Sequence, residues 1–251
     1  MRITGNTIFI TGGATGIGFA LANAFVREGN EVIICGRREN KLEEAKSKLP
    51  TVHTIKCDLE ISSERKILFE TVTKKFKSLN VLINNAGIQK AYDFEHGTAD
   101  LFDAENELTI NLEAPIHLAA LFTGHLKNIE ESAIVNISSG LAFVPLAFMP
   151  VYCASKAAIH SFTISLRHQL RNTKVKVFEI IPPTVNTELD KGRRNANGMA
   201  NIGISSEVVA NESLIALQKN NFEVSIGMAK NLVIGSRDNP VKAFLNINGF
   251  N

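Results

Sequence analysis

The stretch Thr7-Ile-Phe-Ile-Thr-Gly-Gly-Ala-Thr-Gly-Ile-Gly18 joins a short apolar run to a glycine-rich turn, and residues 19–27 then repeat apolar side chains at three- and four-residue steps. Strand, turn and helix are written in that order. An apolar run without alternation suits a strand buried on both faces, and the helical period suits a segment lying across it. Gly12, Gly16 and Gly18 carry no Cβ, so the backbone can turn tightly. An anionic group can then approach the amides that open the helix, where Thr15 and Ile17 flank the second glycine. The spacing is Gly-x-x-x-Gly-x-Gly, not the Gly-x-Gly-x-x-Gly commonest in dinucleotide sites. A pyrophosphate-binding turn is expected, with a purely structural turn as the alternative.

The same alternation continues along the chain. Apolar runs at 32–35, 52–57, 81–84, 133–138, 175–181 and 223–226 are separated by segments of helical period at 41–49, 64–76, 107–126 and 152–171. Strand alternating with helix predicts an α/β fold, a Rossmann-type doubly wound parallel sheet of about seven strands with helices on both faces. One domain over 1–251 is expected. The segment 188–203 is rich in Asn and Gly, and after the sixth strand it would project from the carboxyl edge, where such sheets bind ligands. It is expected to be a substrate loop.

Composition narrows the class. The 27 basic and 25 acidic residues leave a formal charge of +2, which implies no nucleic-acid partner. Apolar stretches of about 18 residues are absent, so no membrane span is expected. Strand-like sequence from Thr7 leaves little room for a leader, which points to the cytoplasm. Cys35, Cys57 and Cys153 are too scattered for a disulfide framework or zinc knuckle, and read as small buried hydrophobes. The six histidines lack ligand spacing, so no metal is expected, and His160 and His168 read as surface or satisfied core residues.

Chemistry concentrates in the second half. Tyr152 and Lys156 lie one helical turn apart, with Ser139 upstream. A phenol of ordinary pKa about 10 is a poor proton acceptor at neutral pH, and a nearby ammonium favours its ionised form. With a dinucleotide turn at the other end of the chain, this combination points to a nicotinamide-dependent oxidoreductase. The second strand ends in Cys35-Gly-Arg-Arg38, where Gly36 offers no carboxylate for a ribose 2′-hydroxyl. Arg37 and Arg38 instead suit a 2′-phosphate, so NADP(H) is favoured over NAD(H).

Five motifs, Thr11–Gly18, Cys57-Asp58-Leu59, Asn84-Asn85-Ala86-Gly87, Asn111, and Ser139 with Tyr152-x-x-x-Lys156, stand in the order of a short-chain dehydrogenase/reductase. The chain resembles that family over residues 5–226. The resemblance implies that Asp58, beside Leu59, meets the adenine and that Asn84 and Ala86 line the cofactor groove. Gly87 lets the chain pass close to the cofactor. Thr187, in Pro182-Pro-Thr-Val-Asn-Thr187, matches the position that bonds the nicotinamide carboxamide. Pro183 departs from the family's glycine, and a pyrrolidine there fixes φ and removes an N–H. The C-terminal sequence after Ile226 departs as well, so a homodimer through 107–126 and 152–171 is expected in place of the usual tetramer.

The implied reaction moves hydride between nicotinamide and a small carbonyl or alcohol substrate. Tyr152 exchanges the proton, Lys156 and the positive nicotinamide ring lower its pKa, Ser139 holds the substrate oxygen, and Asn111 positions a water that links Lys156 to solvent. The pocket is expected from 89–92, 140–150 and 188–203. Phe143, Leu146, Phe148 and Met149 suggest an uncharged or hydrophobic carbonyl compound, while Arg193 and Arg194 could bind an anion. Two rivals are a dinucleotide-binding redox sensor without turnover and a nucleotide-sugar epimerase or dehydratase.

Overall fold

In the computed structural model, residues 1–97, 106–190 and 203–249 are described. The strands are β1 (Thr7–Thr11), β2 (Glu31–Gly36), β3 (His53–Lys56), β4 (Leu79–Asn84), β5 (Ser132–Ile137), β6 (Val175–Ile181) and β7 (Glu223–Ser225). Between and after them lie α1 (Gly16–Arg27), α2 (Glu39–Lys48), α3 (Ser62–Lys75), α4 (Ala114–Leu126), α5 (Pro150–Gln169), α6 (Ser206–Lys219), α7 (Ala229–Asp238) and α8 (Pro240–Ile247). All strands run parallel in the order β3-β2-β1-β4-β5-β6-β7. That is the doubly wound sheet expected from the sequence.

Burial explains the continuous apolar runs. On β1, Ile8 and Ile10 pack into one core layer with Leu21 and Phe25 of α1, while Phe9 enters the opposite layer with Phe122 of α4. Phe122 stacks on Phe9 at 5.7 Å between ring centroids and meets the edge of Phe69 at 5.0 Å. Each fully buried phenylalanine contributes on the order of 2–3 kcal/mol through its burial.

The two outermost strands differ from this pattern. β3 has four residues and alternates half-buried with exposed positions, and β7 has three residues, none fully buried. Among the described residues no strand covers their outer edges, so the continuous apolar pattern expected at 52–57 and 223–226 gives way to a half-solvated one. Helices α6, α7 and α8 were not anticipated either. Ser205 caps α6 by accepting the Val208 N–H, and Asn239 caps α8 by accepting the Lys242 N–H.

The chain order reverses between β1 and β4, and their carboxyl ends are laced together. Thr11 Oγ1 accepts the N–H groups of Asn85 and Ala86, each at 3.0 Å, and Asn85 Nδ2 donates to the carbonyls of Thr11 and Gly12 at 2.9 and 3.1 Å. This is the switch point at which open α/β sheets bind ligands.

Candidate active site

The glycine turn sits on that switch point. Gly12 and Gly16 adopt φ of +62° and +56°, in the left-handed region that glycine enters without strain. A Cβ on Gly12 would lie 2.9 Å from Ala86 Cα, and one on Gly18 would lie 2.3 Å from the Gly12 carbonyl oxygen. Gly13, which the spacing argument passed over, is as constrained, since a Cβ there would meet Ile34 Cγ2 at 2.4 Å. The cradle therefore needs glycine, and it opens onto the first turn of α1, whose N–H groups have no partner inside the helix. An anionic dinucleotide fits this arrangement.

Thr187 lies across the turn, its methyl group 3.1 Å from where a Gly16 Cβ would stand. Arg38 donates to Glu188 at 3.2 Å and to Thr15 Oγ1 at 3.5 Å, and Lys41 lies 3.8 Å from Glu188. A cleft of about 260 Å³ is lined here by Thr15, Gly16, Lys41, Lys48, Thr187 and Glu188. Arg37 is exposed beside it in sequence. Farther along, Asp58 Oδ1 accepts the Glu60 N–H at 3.0 Å, and Leu59 is buried with its carbonyl accepting from Arg65. Asn84 behaves differently from Ala86. Its side chain turns to its ladder partner and donates to Asn136 Oδ1 at 2.9 Å, leaving its own Oδ1 buried and without a partner among the described residues. Pro182 accepts the Gly140 N–H at 3.0 Å.

On the other side of β4 and β5, Asn111, Ser139, Tyr152 and Lys156 are all buried and close together. Lys156 Nζ lies 5.7 Å from the centroid of the Tyr152 ring and donates to the Ile137 carbonyl at 3.0 Å. Ser139 hydrogen-bonds Tyr152, and its Oγ also accepts the Leu141 N–H at 3.1 Å. Asn111 stands in a π turn, Thr109–Glu113, a wide turn of a kind that often marks functional positions. Its amide clamps Ile88 from both sides, accepting the N–H and donating to the carbonyl at 2.8 Å each, and also donates to Ser155 Oγ at 3.2 Å. Gly87 fits between, because a Cβ there would stand 3.2 Å from Asn111 Oδ1 and 3.6 Å from Lys156 Nζ.

Burial governs the charges. It pushes the Tyr152 phenol well above its ordinary pKa, the Ser139 hydrogen bond opposes the rise, and the charges of Cys153 and Glu107 add to it. Burial also lowers Lys156 to about 8. The expected lowering of the phenol by Lys156 is not seen when only protein groups surround it: desolvation dominates, and Ser139 is the group that opposes it. Both donors of Asn111 are committed, so a water that it orders must use the remaining Oδ1 lone pair or the main-chain carbonyl.

The residues expected to form the pocket wall divide into two groups. Leu141, Leu146, Met149 and Cys153 pack around Tyr152, Tyr92 N–H donates to the Phe148 carbonyl at 3.1 Å, and Gln89 contacts Met149 Sδ. Phe143 turns away, packing with Ile181, Ala229 and Val233 and lying 4.5 Å from the His160 ring. The part of the substrate loop at 191–202, with Arg193 and Arg194, lies outside the described residues.

One turn beyond Lys156, His160 donates to Glu179, which is fully buried, at 2.9 and 3.1 Å. Glu223, beside Glu179 in the β6–β7 ladder, pairs with Arg237 at 3.4 Å. The hydrogen bond to Glu179 raises the His160 pKa against the opposing effect of burial. A raised histidine pKa contributes stability that is fully present below the unfolded value of about 6.5 and lost as pH rises through the folded value. His160→Ala is expected to destabilise the fold by about 2 kcal/mol at pH 5.5, because it removes the protonated imidazole that pairs with the buried Glu179. The penalty should narrow at pH 9 in paired denaturant melts.

The short chain dehydrogenase family profile matches residues 6–198. The chain is 51% identical over 225 residues to the uncharacterized oxidoreductase DltE of Bacillus subtilis (strain 168), covering 90% of this chain and 89% of that protein. Among solved structures, a short chain dehydrogenase/reductase from Burkholderia phymatum in complex with NAD superposes with a TM-score of 0.85 at 19% identity, covering 96% of each chain. A short chain dehydrogenase from Burkholderia cenocepacia J2315 in complex with NADP superposes with a TM-score of 0.83 at 25% identity, covering 98% of each. With a matching profile over most of its length and the fold and glycine cradle in place, the chain belongs to the short chain dehydrogenase family of NAD(P)-dependent oxidoreductases.

Proposed function

We propose that the protein is an NADP(H)-dependent carbonyl reductase or alcohol dehydrogenase in which Tyr152 exchanges the substrate proton. The observation that carries this reading is the buried cluster of Ser139, Tyr152, Lys156 and Asn111, set against a glycine cradle. When bound, the nicotinamide donates or accepts hydride. Gly12, Thr15, Gly16, Ile17 and Gly18 would hold the pyrophosphate, with Asp58 and Leu59 toward the adenine and Ala86, Gly87, Pro182 and Thr187 toward the nicotinamide.

The chain's own groups handle the oxygen and its proton. Ser139 Oγ accepts the Leu141 N–H, and its hydroxyl hydrogen, shared with Tyr152 while the site is empty, would turn to a substrate oxygen. Tyr152, kept neutral by burial, is a proton donor in the direction of carbonyl reduction. The reverse direction requires phenolate, which the Lys156 ammonium and a cationic cofactor ring would favour. Asn111 and Ser155 hold the π turn, Ile88 and the catalytic helix in one register. Leu141, Leu146 and Met149 around the phenol suit an uncharged substrate. We also place a homodimer on α4 and α5, whose outward residues include the exposed Ile116 and Ile164.

Preference for NADP(H) rests on Arg37 and Arg38 after Gly36. A 2′-phosphate would draw Arg38 from Glu188, exchanging a carboxylate for a more highly charged partner. Binding is tested by cofactor fluorescence, followed by NADPH oxidation against aldehydes, ketones and quinones. Tight binding with turnover of a carbonyl compound supports the assignment, and failure to bind either nucleotide overturns it. The double variant Arg37→Ala/Arg38→Ala is expected to lower kcat/KM for NADPH by about 30-fold while changing that for NADH less than about threefold. Equal losses for both cofactors would remove the phosphate assignment.

A further inference from the structure

Glu107 stands one turn before Asn111 and is unusual for its surroundings. It is 1% exposed, and Oε1 accepts the Lys90 N–H at 2.9 Å. Its Oε2 is sealed from solvent and has no hydrogen-bond partner among the described residues. A buried oxygen left in this state is costly, and protein groups or trapped water normally satisfy such atoms.

Its neighbourhood is the candidate substrate site. Lys90 and Tyr92 belong to the segment that continues from Ile88, which Asn111 clamps, and the Tyr92 N–H reaches the Phe148 carbonyl. Burial chiefly raises the pKa of Tyr152 and of Cys153 on α5, and the charge of Glu107 adds to both shifts. The titratable groups around it are therefore Lys90, Tyr92, Tyr152 and Cys153. The Lys90 N–H accounts for only one of the two carboxyl oxygens, and the other points to a ligand that completes its hydrogen bonding.

We propose that Glu107 is a substrate-recognition residue that bonds a second hydroxyl of the carbonyl substrate. The proposal rests on the assignment of Tyr152 as the proton-exchanging group. A hydroxyl is the group the site fits best, because it can donate to Oε2 of an ionised carboxylate or accept from Oε2–H of a neutral acid. Burial raises the Glu107 pKa, which makes the neutral form accessible and disfavours a reading in which the partner must be a cation. A substrate carboxylate suits the site poorly, since an ionised Glu107 would repel it.

The test uses the full chain with NADPH and two matched series, hydroxy ketones and the same ketones without the hydroxyl. The measured quantity is the ratio of kcat/KM between partners in each pair, which partial unfolding leaves unchanged because it lowers both values together. The wild type is expected to favour the hydroxy ketone by about tenfold or more. Glu107→Leu should bring the ratio close to one, and Glu107→Gln, which keeps a donor and an acceptor, should restore most of it. A wild-type ratio near one, or a ratio that Glu107→Leu leaves unaltered, overturns the assignment of Glu107 while leaving that of Tyr152 standing. Failure of the Tyr152 reading shows differently, as undiminished turnover of both series by Tyr152→Phe, and it removes the basis of this proposal as well.

Discussion

Tyr152→Phe is expected to lower carbonyl-dependent NADPH oxidation by about a thousandfold, within the range that positioned acid–base groups contribute. Phenylalanine keeps the ring that packs with Leu141, Leu146, Met149 and Cys153, so the hydrophobic contacts survive. What disappears is the hydroxyl that bonds Ser139 and carries the transferable proton. NADPH affinity should stay within about threefold of wild type, because the glycine cradle supplies most of the nucleotide contacts. Single-turnover absorbance at 340 nm, a wavelength set by the reduced cofactor, reads the chemical step alone. Residual activity above about a tenth of wild type would remove Tyr152 from the proton transfer.

Gly18→Ala is the second large effect, and it acts on the nucleotide. The new methyl would stand 2.3 Å from the Gly12 carbonyl oxygen and 2.5 Å from Asn85 Nδ2. Neither contact can be relieved at a flexible end, since the first is backbone and the second is the amide that ties the ends of β1 and β4. The turn must open, and NADPH affinity should fall by about 100-fold or more, as expected when two or more backbone contacts to a phosphate are misplaced. Gly124→Ala is the matched control. A Cβ there meets nothing within 4 Å, so this exposed-helix substitution should leave binding intact and stabilise α4 by up to about 1 kcal/mol. Equal NADPH titrations for Gly18→Ala and Gly124→Ala would contradict the role of the cradle.

Much of this was legible in the sequence because it depends on backbone and on burial. Continuous apolar runs located the central strands, since side chains such as Ile8 and Phe9 enter opposite core layers. The same rule misjudged β3 and β7, whose place at the sheet's ends leaves them half solvated. The motif order brought Asn111, Ser139, Tyr152 and Lys156 to one place. Motif spacing did not show which way a polar side chain turns, however. Asn84 faces Asn136, whereas its neighbour Asn85 holds the glycine turn. Gly13, Ser155 and Glu107 were missed for a related reason, because each is defined by a contact with a residue distant in sequence. The fully buried Arg65 is another case, bonded to His117, Glu113 and the Leu59 carbonyl by a network that no local pattern announces.

The short outer strands have a consequence for how copies of the chain meet. The end strands of an open sheet present unpaired N–H and C=O groups, on which a second molecule can add and begin a continuous stack. Here one end offers only four residues with His53 and Lys56 paired to Glu31 and Glu39, and the other offers three beginning with Glu223, which Arg237 holds. Charge and brevity together make both margins poor templates for strand addition. Open-ended sheet growth is thereby disfavoured, which agrees with the proposed contact between helical faces, where a symmetric pairing closes on itself.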